Sequence, residues 1–225
     1  MKTKTMLIHL LVSFVVLSAC APVASAEPVV PTATSTATKK LTATQIATKE
    51  PTATPTATEE PKSPEYYPLS TRTGNADVDE VLAAVESGDP QALRDLIHFT
   101  KVGCTNVDGL GGPPKCQAGE AEGTLVNVLP FLGPESSFMH EADIANFQPM
   151  EALGIYAVYS VSDSAYSEKA YPAGEYAVVV TTIVDQIFQI YQIREGIVRV
   201  DTVFSPSSRD EVIQRDAAEL ILAPQ

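Results

Sequence analysis

The sequence is short of the residues that most often carry catalysis or nucleic-acid binding. It has three histidines in 225 residues, and only His98 and His140 lie beyond residue 66. It lacks the G-x-S-x-G, H-E-x-x-H and G-K-S/T patterns of hydrolases, metalloproteases and phosphate-binding loops. Lys and Arg number 15 against 28 Asp and Glu. Because nucleic-acid binding requires cations set against phosphates, we expect no nucleic-acid partner. Because the motifs above are missing, we expect no catalytic residue, no metal and no cofactor.

The first twenty residues read as an export signal. Lys2 and Lys4 precede an apolar run over residues 6–17 that is too short to span a bilayer and suits a signal-peptide core. Leu17-Ser18-Ala19-Cys20 follows and resembles the bacterial lipobox. The resemblance implies cleavage after residue 19 and a diacylglyceryl group on the Cys20 thiol. The expected location is therefore outside the cytoplasmic membrane, with the membrane as a partner through the lipid.

A second cleavage site lies six residues further on. Ala24-Ser25-Ala26 before Glu27 matches the A-x-A pattern of ordinary signal peptidase. Cleavage after Ala26 would release a secreted protein without a lipid. The lipobox is the preferred interpretation because it lies closer to the apolar run.

Residues 20–66 predict a disordered stalk. The segment repeats Thr, Ala and Pro and has almost no large apolar side chains, so burial cannot offset the entropy of ordering it. At about 3.1 Å per residue the stalk could extend to roughly 140 Å, whereas a flexible coil would average nearer 40 Å. Its threonines could be glycosylated or unmodified, and the sequence leaves both readings open.

Residues 67–225 are long enough for one α+β domain. Apolar residues from Val78 to Val85 fall on one helical face, and Gly88-Asp89-Pro90 separates this helix from a second short one. Strands are predicted over residues 124–131, 153–161, 175–184, 186–193 and 197–204, and a closing helix over 211–222. We expect an N-terminal helical hairpin packed on a curved antiparallel sheet, with the helices on one face of the sheet. This order is similar to the NTF2-like fold, although the closing helix departs from it.

Two cysteines remain once Cys20 carries a lipid. Cys104 and Cys116 would then form a pair in an oxidising compartment. A disulfide between them closes a thirteen-residue loop rich in Gly and Pro, worth about 3 kcal/mol by the loop-entropy argument. Residues 102–116 also resemble a segment of uncharacterised bacterial lipoproteins with Thr/Ala/Pro-rich stalks. That family implies an envelope location without an assigned activity.

Three carboxylates near this loop are the candidate ligand or partner surface: Asp108, Glu120 and Glu122. They could face a basic partner or bind a cation weakly, or form a solvated acidic loop. A calcium loop aligned on Gly109 would place Cys104 and Lys115 at positions that need oxygen ligands, so the calcium reading fails. Four tyrosines on predicted strands could line a pocket or serve as ordinary sheet residues: Tyr156, Tyr159, Tyr176 and Tyr191.

The sequence supports two hypotheses of different classes. The first is a non-catalytic binding or interaction module anchored in the cell envelope. The second is a small-molecule pocket, with or without enzymatic activity, on the concave face of an NTF2-like sheet. An inert spacer also remains open. Helix Leu and Val side chains filling the concave face would argue against the second hypothesis.

Overall fold

The computed structural model describes residues 65–225, and it shows a mixed α+β fold. The predictions for residues 1–64, namely the signal peptide 1–19, Cys20, the cut after Ala26 and most of the stalk, lie outside the described residues. The elements are, in chain order, α1 (Ala76–Ser87), α2 (Pro90–Asp95), β1 (Thr100–Gly103), β2 (Leu125–Leu132), β3 (Ser137–His140), a 3₁₀ helix (Glu141–Asn146), β4 (Ala152–Val161), β5 (Tyr176–Thr182), β6 (Phe188–Ile193), β7 (Ile197–Val203), α3 (Pro206–Asp216) and β8 (Ala217–Leu222).

The first two helices begin and end at the residues whose chemistry favours those boundaries. The Asn75 side chain accepts a hydrogen bond from the backbone of Val78 at the start of α1, and Gly88 ends it in the left-handed conformation. Asp89 caps α2 in the same way, and Pro90 occupies its first position. Both helices therefore lie where the sequence predicts them.

Eight strands form one sheet, and seven of them follow the order β1-β2-β7-β6-β5-β4-β8. The remaining strand, β3, pairs with residues 128–131 of β2, whereas β1 pairs with residues 125–128. The pairings are antiparallel except for a short parallel contact between β2 and β7. The turn from β6 to β7 closes with a hydrogen bond from Arg194 N to Gly196 O of 2.8 Å. The sequence Arg194-Glu195-Gly196 between the two strands predicts this three-residue loop, with glycine in the left-handed position. Gly196 has φ 137°, and Glu195, at φ 53°, is the residue in the left-handed region.

Helices cover both faces of the sheet. Val78, Val81 and Leu82 of α1 are fully buried against strand residues that include Val178 and Val180. The alternate residues Ala177 and Val179 pack on the opposite face with Ile213 of α3. Successive strand side chains point to opposite faces, which explains the two separate cores. The expectation that the helices share one face is therefore wrong for α3.

The predicted closing helix over residues 211–222 is also wrong in its second half. Helix α3 ends at Asp216, and the next six residues form β8. The segment Ala-Ala-Glu-Leu-Ile-Leu has good helix propensity, but as a strand it pairs with β4 from Val161 to Val158. Pairing with an available sheet edge therefore overrides the local preference.

The described chain begins and ends beside β4. Tyr67 forms two backbone hydrogen bonds with Ile155, of 2.7 and 2.9 Å, and its hydroxyl donates to the Ala223 carbonyl at 2.8 Å. Within residues 65–225, no helix is both long and apolar enough to cross a lipid bilayer.

Candidate functional site

The predicted disulfide is confirmed. Cys104 and Cys116 are bonded, with their Cα atoms 4.8 Å apart. We use "disulfide loop" for residues 104–124, which join β1 to β2. Thr105 N donates to Pro114 O and Cys116 N donates to Thr105 O, so the two arms of the covalent ring are also hydrogen-bonded. The loop is therefore held in one conformation by both covalent and backbone bonds.

The three predicted carboxylates lie in this loop, but they do not converge on a common point. Glu122 accepts a hydrogen bond from the backbone N–H of Asn106, and Glu120 accepts one from that of Gln117. Asp108 is exposed in the part of the loop between the cysteines. Two of the carboxylates thus stabilise the loop backbone, while the third is available to a partner.

Cys104, Cys116 and Glu120 place potential metal-ligating atoms within 4.8 Å of one another. The two sulfur atoms are bonded to each other, so neither is a thiolate while the disulfide is formed. Zinc and other soft-metal sites require thiolate sulfur. This cluster is accounted for by the disulfide.

Apolar side chains stand out from the disulfide loop. Leu110 is 82 % exposed and Val107 is 68 % exposed, and Leu125 at the start of β2 is 64 % exposed. The side chains beneath the loop, including Val126 and Val128, are buried in a small separate core. Val107 and Leu110 are therefore exposed apolar side chains on a covalently closed loop with a packed base.

A cluster of charged side chains lies between the sheet and α3. Arg199 and Asp201 of β7 form an ion pair whose side chains are 1 % and 8 % exposed. Burial raises the pKa of Asp201, while the Arg199 guanidinium opposes that rise. Nearby, Arg215 pairs with the buried Asp216. The hydroxyl of Tyr159 is buried and has no hydrogen-bond partner within residues 65–225. Its pKa is raised, first by burial and then by both carboxylates.

Asp201 and Arg215 also line a cavity of about 310 Å³ with apolar walls from β2, β7 and α3. Arg199 and Arg215 each donate two hydrogen bonds to one carboxylate, that of Asp201 and that of Asp216 respectively. The arrangement therefore stabilises the packing of α3 on the sheet and leaves little charge for a ligand.

A larger cavity, of about 530 Å³, lies between the first turn of α3, the turn from β5 to β6 and residues 65–66. We refer to it as the Arg209 cavity. Arg209 lines it with a side chain that is only 10 % exposed. The guanidinium carbon lies 3.4 Å from the ring centre of Tyr156 and 4.5 Å from that of Phe188. Sequence reasoning missed this arginine because Ser-Ser-Arg-Asp-Glu reads as the solvent face of a helix.

The four strand tyrosines of the sequence analysis separate between the two faces. Tyr191 packs in the core under α1, with Tyr176 half-buried at its edge. Tyr156 and Tyr159 belong to the core under α3. Tyr191 lines a cavity of about 450 Å³ beside α1 and α2, whereas Tyr156 contacts Arg209 at the wall of the Arg209 cavity. Burial raises the pKa of Tyr156, and the adjacent Arg209 opposes that rise.

No protein-family model, curated protein or solved structure matches this chain.

Proposed function

We propose that the protein is a non-catalytic binding module of the bacterial cell envelope, anchored by a lipid on Cys20 and raised from the membrane by the stalk 20–66. The observation that carries the binding role is the disulfide loop, a fixed loop whose Val107 and Leu110 side chains project into solvent. Exposed apolar residues on a fixed loop lose little conformational entropy on binding. Such a loop is therefore suited to contact a partner.

The position of the loop in the sheet supports this assignment. The loop joins β1 and β2, whereas the described chain enters beside β4. Strands β7, β6 and β5 lie between β2 and β4, so four strand spacings of about 4.8 Å, or about 19 Å, separate β2 from β4. A partner on the loop would therefore not collide with the chain that leads into the domain.

The charge of the loop defines the chemistry of the partner. Residues 104–124 carry Asp108, Glu120 and Glu122 against one cation, Lys115. The Lys115 ammonium donates to the backbone carbonyl of Val107 at 2.9 Å, so it is held against the loop. The surface fits an envelope protein that presents an apolar depression surrounded by basic residues.

The lipid anchor is tested by Cys20→Ala in the full-length protein. The parent protein should enter the detergent phase of a phase-partition assay and carry a metabolically incorporated fatty acid. The variant should lose the label and enter the aqueous phase. Cleavage after Ala26 would instead give a parent protein that is aqueous, unlabelled and begins at Glu27 by mass spectrometry, which would refute the anchor.

The contact surface is tested by a photo-crosslinking amino acid at Leu110 in intact cells. Leu220 on β8, which is 45 % exposed at the other edge of the sheet, is the matched control position. A defined adduct should form from position 110 and not from 220. Asp108→Lys should weaken it, and Asp163→Lys, an exposed acid in the loop between β4 and β5, should leave it unchanged. Equal adducts from both positions, or none, would refute the surface.

A second candidate, a small-molecule pocket protein, is favoured by one observation, the buried Arg209 in its cavity. Val78, Val81 and Leu82 fill the space between α1 and the sheet, and the cavity of about 450 Å³ at the edge of α1 and α2 has Glu86 and Glu151 but no cation in its lining. The candidate pocket therefore lies on the α3 face. The NTF2-like arrangement with a curved sheet remains part of this second proposal.

A further inference from the structure

Arg209 is a cation fixed in place before any ligand binds. Its guanidinium lies over the Tyr156 ring and beside the Phe188 ring, and its Nε donates to Asp210 Oδ1 at 2.8 Å. The Tyr156 hydroxyl donates to the same oxygen at 3.1 Å and holds Asp210 in place. Contacts with two rings and an ion pair restrict the side chain. The entropy of ordering it is therefore lost on folding rather than on binding.

The nitrogen atoms beyond Nε remain available. Within residues 65–225 the structure gives Arg209 one side-chain hydrogen bond, the one from Nε. Neither Nη group is among the buried polar atoms that lack a partner, so both retain contact with the cavity or solvent. Two adjacent Nη–H groups of a guanidinium match the two oxygens of a planar carboxylate.

The helix beside the cavity adds positive potential. Helix α3 begins at Pro206, which lines the cavity, and its first turn has no acidic residue. Of the first four helical residues, Pro206 and Arg209 line the cavity; Pro206 has no N–H, and the Arg209 N–H donates to the Ser205 carbonyl at 3.0 Å. The helix thus contributes its dipole rather than free donors, which leaves Arg209 as the group that would bind an anion directly.

The rest of the lining limits the size of the anionic group. Leu153, Ile183 and Phe188 give the cavity apolar walls. Asp185 is in the exposed part of the lining and carries negative charge. It would repel a ligand with several negative charges, such as a phosphate ester or a sulfated chain, more strongly than a ligand with one. A ligand with one carboxylate and an apolar body suits the apolar walls and carries only one negative charge.

We propose that the Arg209 cavity binds a small organic monocarboxylate, with the carboxylate on the Arg209 Nη groups and the apolar body against Leu153, Ile183 and Phe188. A volume of about 530 Å³ is in the range of cavities that hold small ligands. Free acids and the C-terminal carboxylate of a short peptide share this chemistry.

The test is isothermal titration calorimetry on the mature, detergent-solubilised protein. The probes are straight-chain monocarboxylates from butanoate to decanoate and 3-phenylpropanoate, each compared with its amide. A tripeptide ending in leucine, compared with its C-terminal amide, separates the peptide source from the free acid. An acid should bind about tenfold or more tightly than its amide, because one charge-assisted pair is lost.

Variants place the binding in this cavity. Arg209→Gln should abolish the preference for the acid, and Arg72→Gln, at an exposed arginine beside α1, should retain it. Because Arg209→Gln could unfold the domain, Ile183→Glu provides a second measurement at a wall residue that is 53 % exposed. Its added charge should weaken acid binding several-fold relative to the matched Ile183→Gln.

Equal binding of acids and amides, no binding by any probe, or equal acid affinity in Ile183→Glu and Ile183→Gln would overturn the proposal. The outcome is independent of the disulfide-loop contact, because that loop contributes no residue to this cavity. Loss of the Leu110 adduct with retained carboxylate binding would therefore refute the one proposal and support the other.

Discussion

Arg199 and Asp201 stand two residues apart on β7, on the face covered by α3, and form a two-point ion pair. Nε and Nη2 donate to the two carboxylate oxygens at 2.7 and 3.0 Å. The remaining Nη1 donates to the carbonyls of Tyr166 and Tyr171 at 3.0 and 3.1 Å. Gln192 on β6 donates to Asp201 as well. One buried pair thus fixes the loop from β4 to β5 onto the sheet.

Arg199→Met should destabilise the domain by about 3–5 kcal/mol, because it leaves the Asp201 carboxylate buried without its cation. Arg199→Met/Asp201→Leu should lose clearly less than the sum of the two single variants, since it removes both charges together. Urea unfolding of all three variants provides the measurement. Additive losses would show that the two residues do not stabilise each other.

The loss of stability in Arg199→Met should depend on pH. Burial raises the pKa of Asp201, and removing Arg199 removes an interaction that lowers it. In this variant the pKa of Asp201 in the folded state should lie further above the unfolded value of about 3.9. The contribution of Asp201 to the unfolding free energy is then fully present below the unfolded pKa and is lost as pH rises through the folded pKa. Arg199→Met should therefore be more destabilised, relative to the parent, at about pH 8 than at about pH 5. A constant difference across this range would contradict the assignment.

The contribution of Asp79 to the unfolding free energy should have the opposite pH dependence. Burial pushes its pKa up, but hydrogen bonds from Thr73 N, Thr73 Oγ1 and Gly74 N outweigh that and lower it. Its contribution is thus present above the unfolded pKa and lost as pH falls through the folded pKa. Asp79→Ala should reduce the unfolding free energy by about 1 kcal/mol at neutral pH, and by less near pH 2–3. Asp77→Ala, in the same helical turn, is the control and should have the smaller effect.

The disulfide should stabilise its loop more than the whole domain. Cys104→Ser/Cys116→Ser removes up to about 3 kcal/mol by the loop-entropy argument. The small core of Val126, Val128 and Phe138 lies directly beneath, whereas the two main cores lie across the other strands. Limited proteolysis should cleave the variant first between residues 105 and 115. Initial cleavage elsewhere, at the parent rate, would show that hydrogen bonds alone hold the loop.

Glu195 lies at φ 53° in the turn from β6 to β7. A side chain with a Cβ atom is disfavoured in this left-handed region, whereas glycine is not. Glu195→Gly should raise the unfolding free energy by about 0.5–1 kcal/mol. Glu195→Ala removes the same charge but keeps the Cβ, so it should give no comparable gain. Equal gains from both would assign the effect to charge instead.

The sequence predicts the elements that have strong local signals. The strands over residues 153–161 and 197–204 are long and rich in β-branched and aromatic residues, and β4 and β7 lie there. The four-residue strands β1 and β3 have no such signal, and they exist because β2 offers a partner on each part of its length. Strand pairing between distant segments is not encoded in local periodicity.

The disulfide and the buried Arg209 also differ in how far the local sequence predicts them. The disulfide could be predicted by counting cysteines, because its chemistry depends on residue type and compartment. Arg209 could not, since its burial depends on Tyr156, which lies on β4 more than fifty residues earlier in the chain. A charged residue in a polar helical turn carries no local sign that two aromatic rings will contact it.

The pairing of Tyr67 with Ile155 has a mechanical consequence. A pull on the chain at residue 65 would act first on two backbone hydrogen bonds and on the Tyr67 hydroxyl bound to Ala223. These contacts lie outside the interior of the sheet, so the first residues could detach under tension while strands β5, β6 and β7 stay paired. Tension applied at residue 65 would therefore release a few residues of chain before it reaches the rest of the fold.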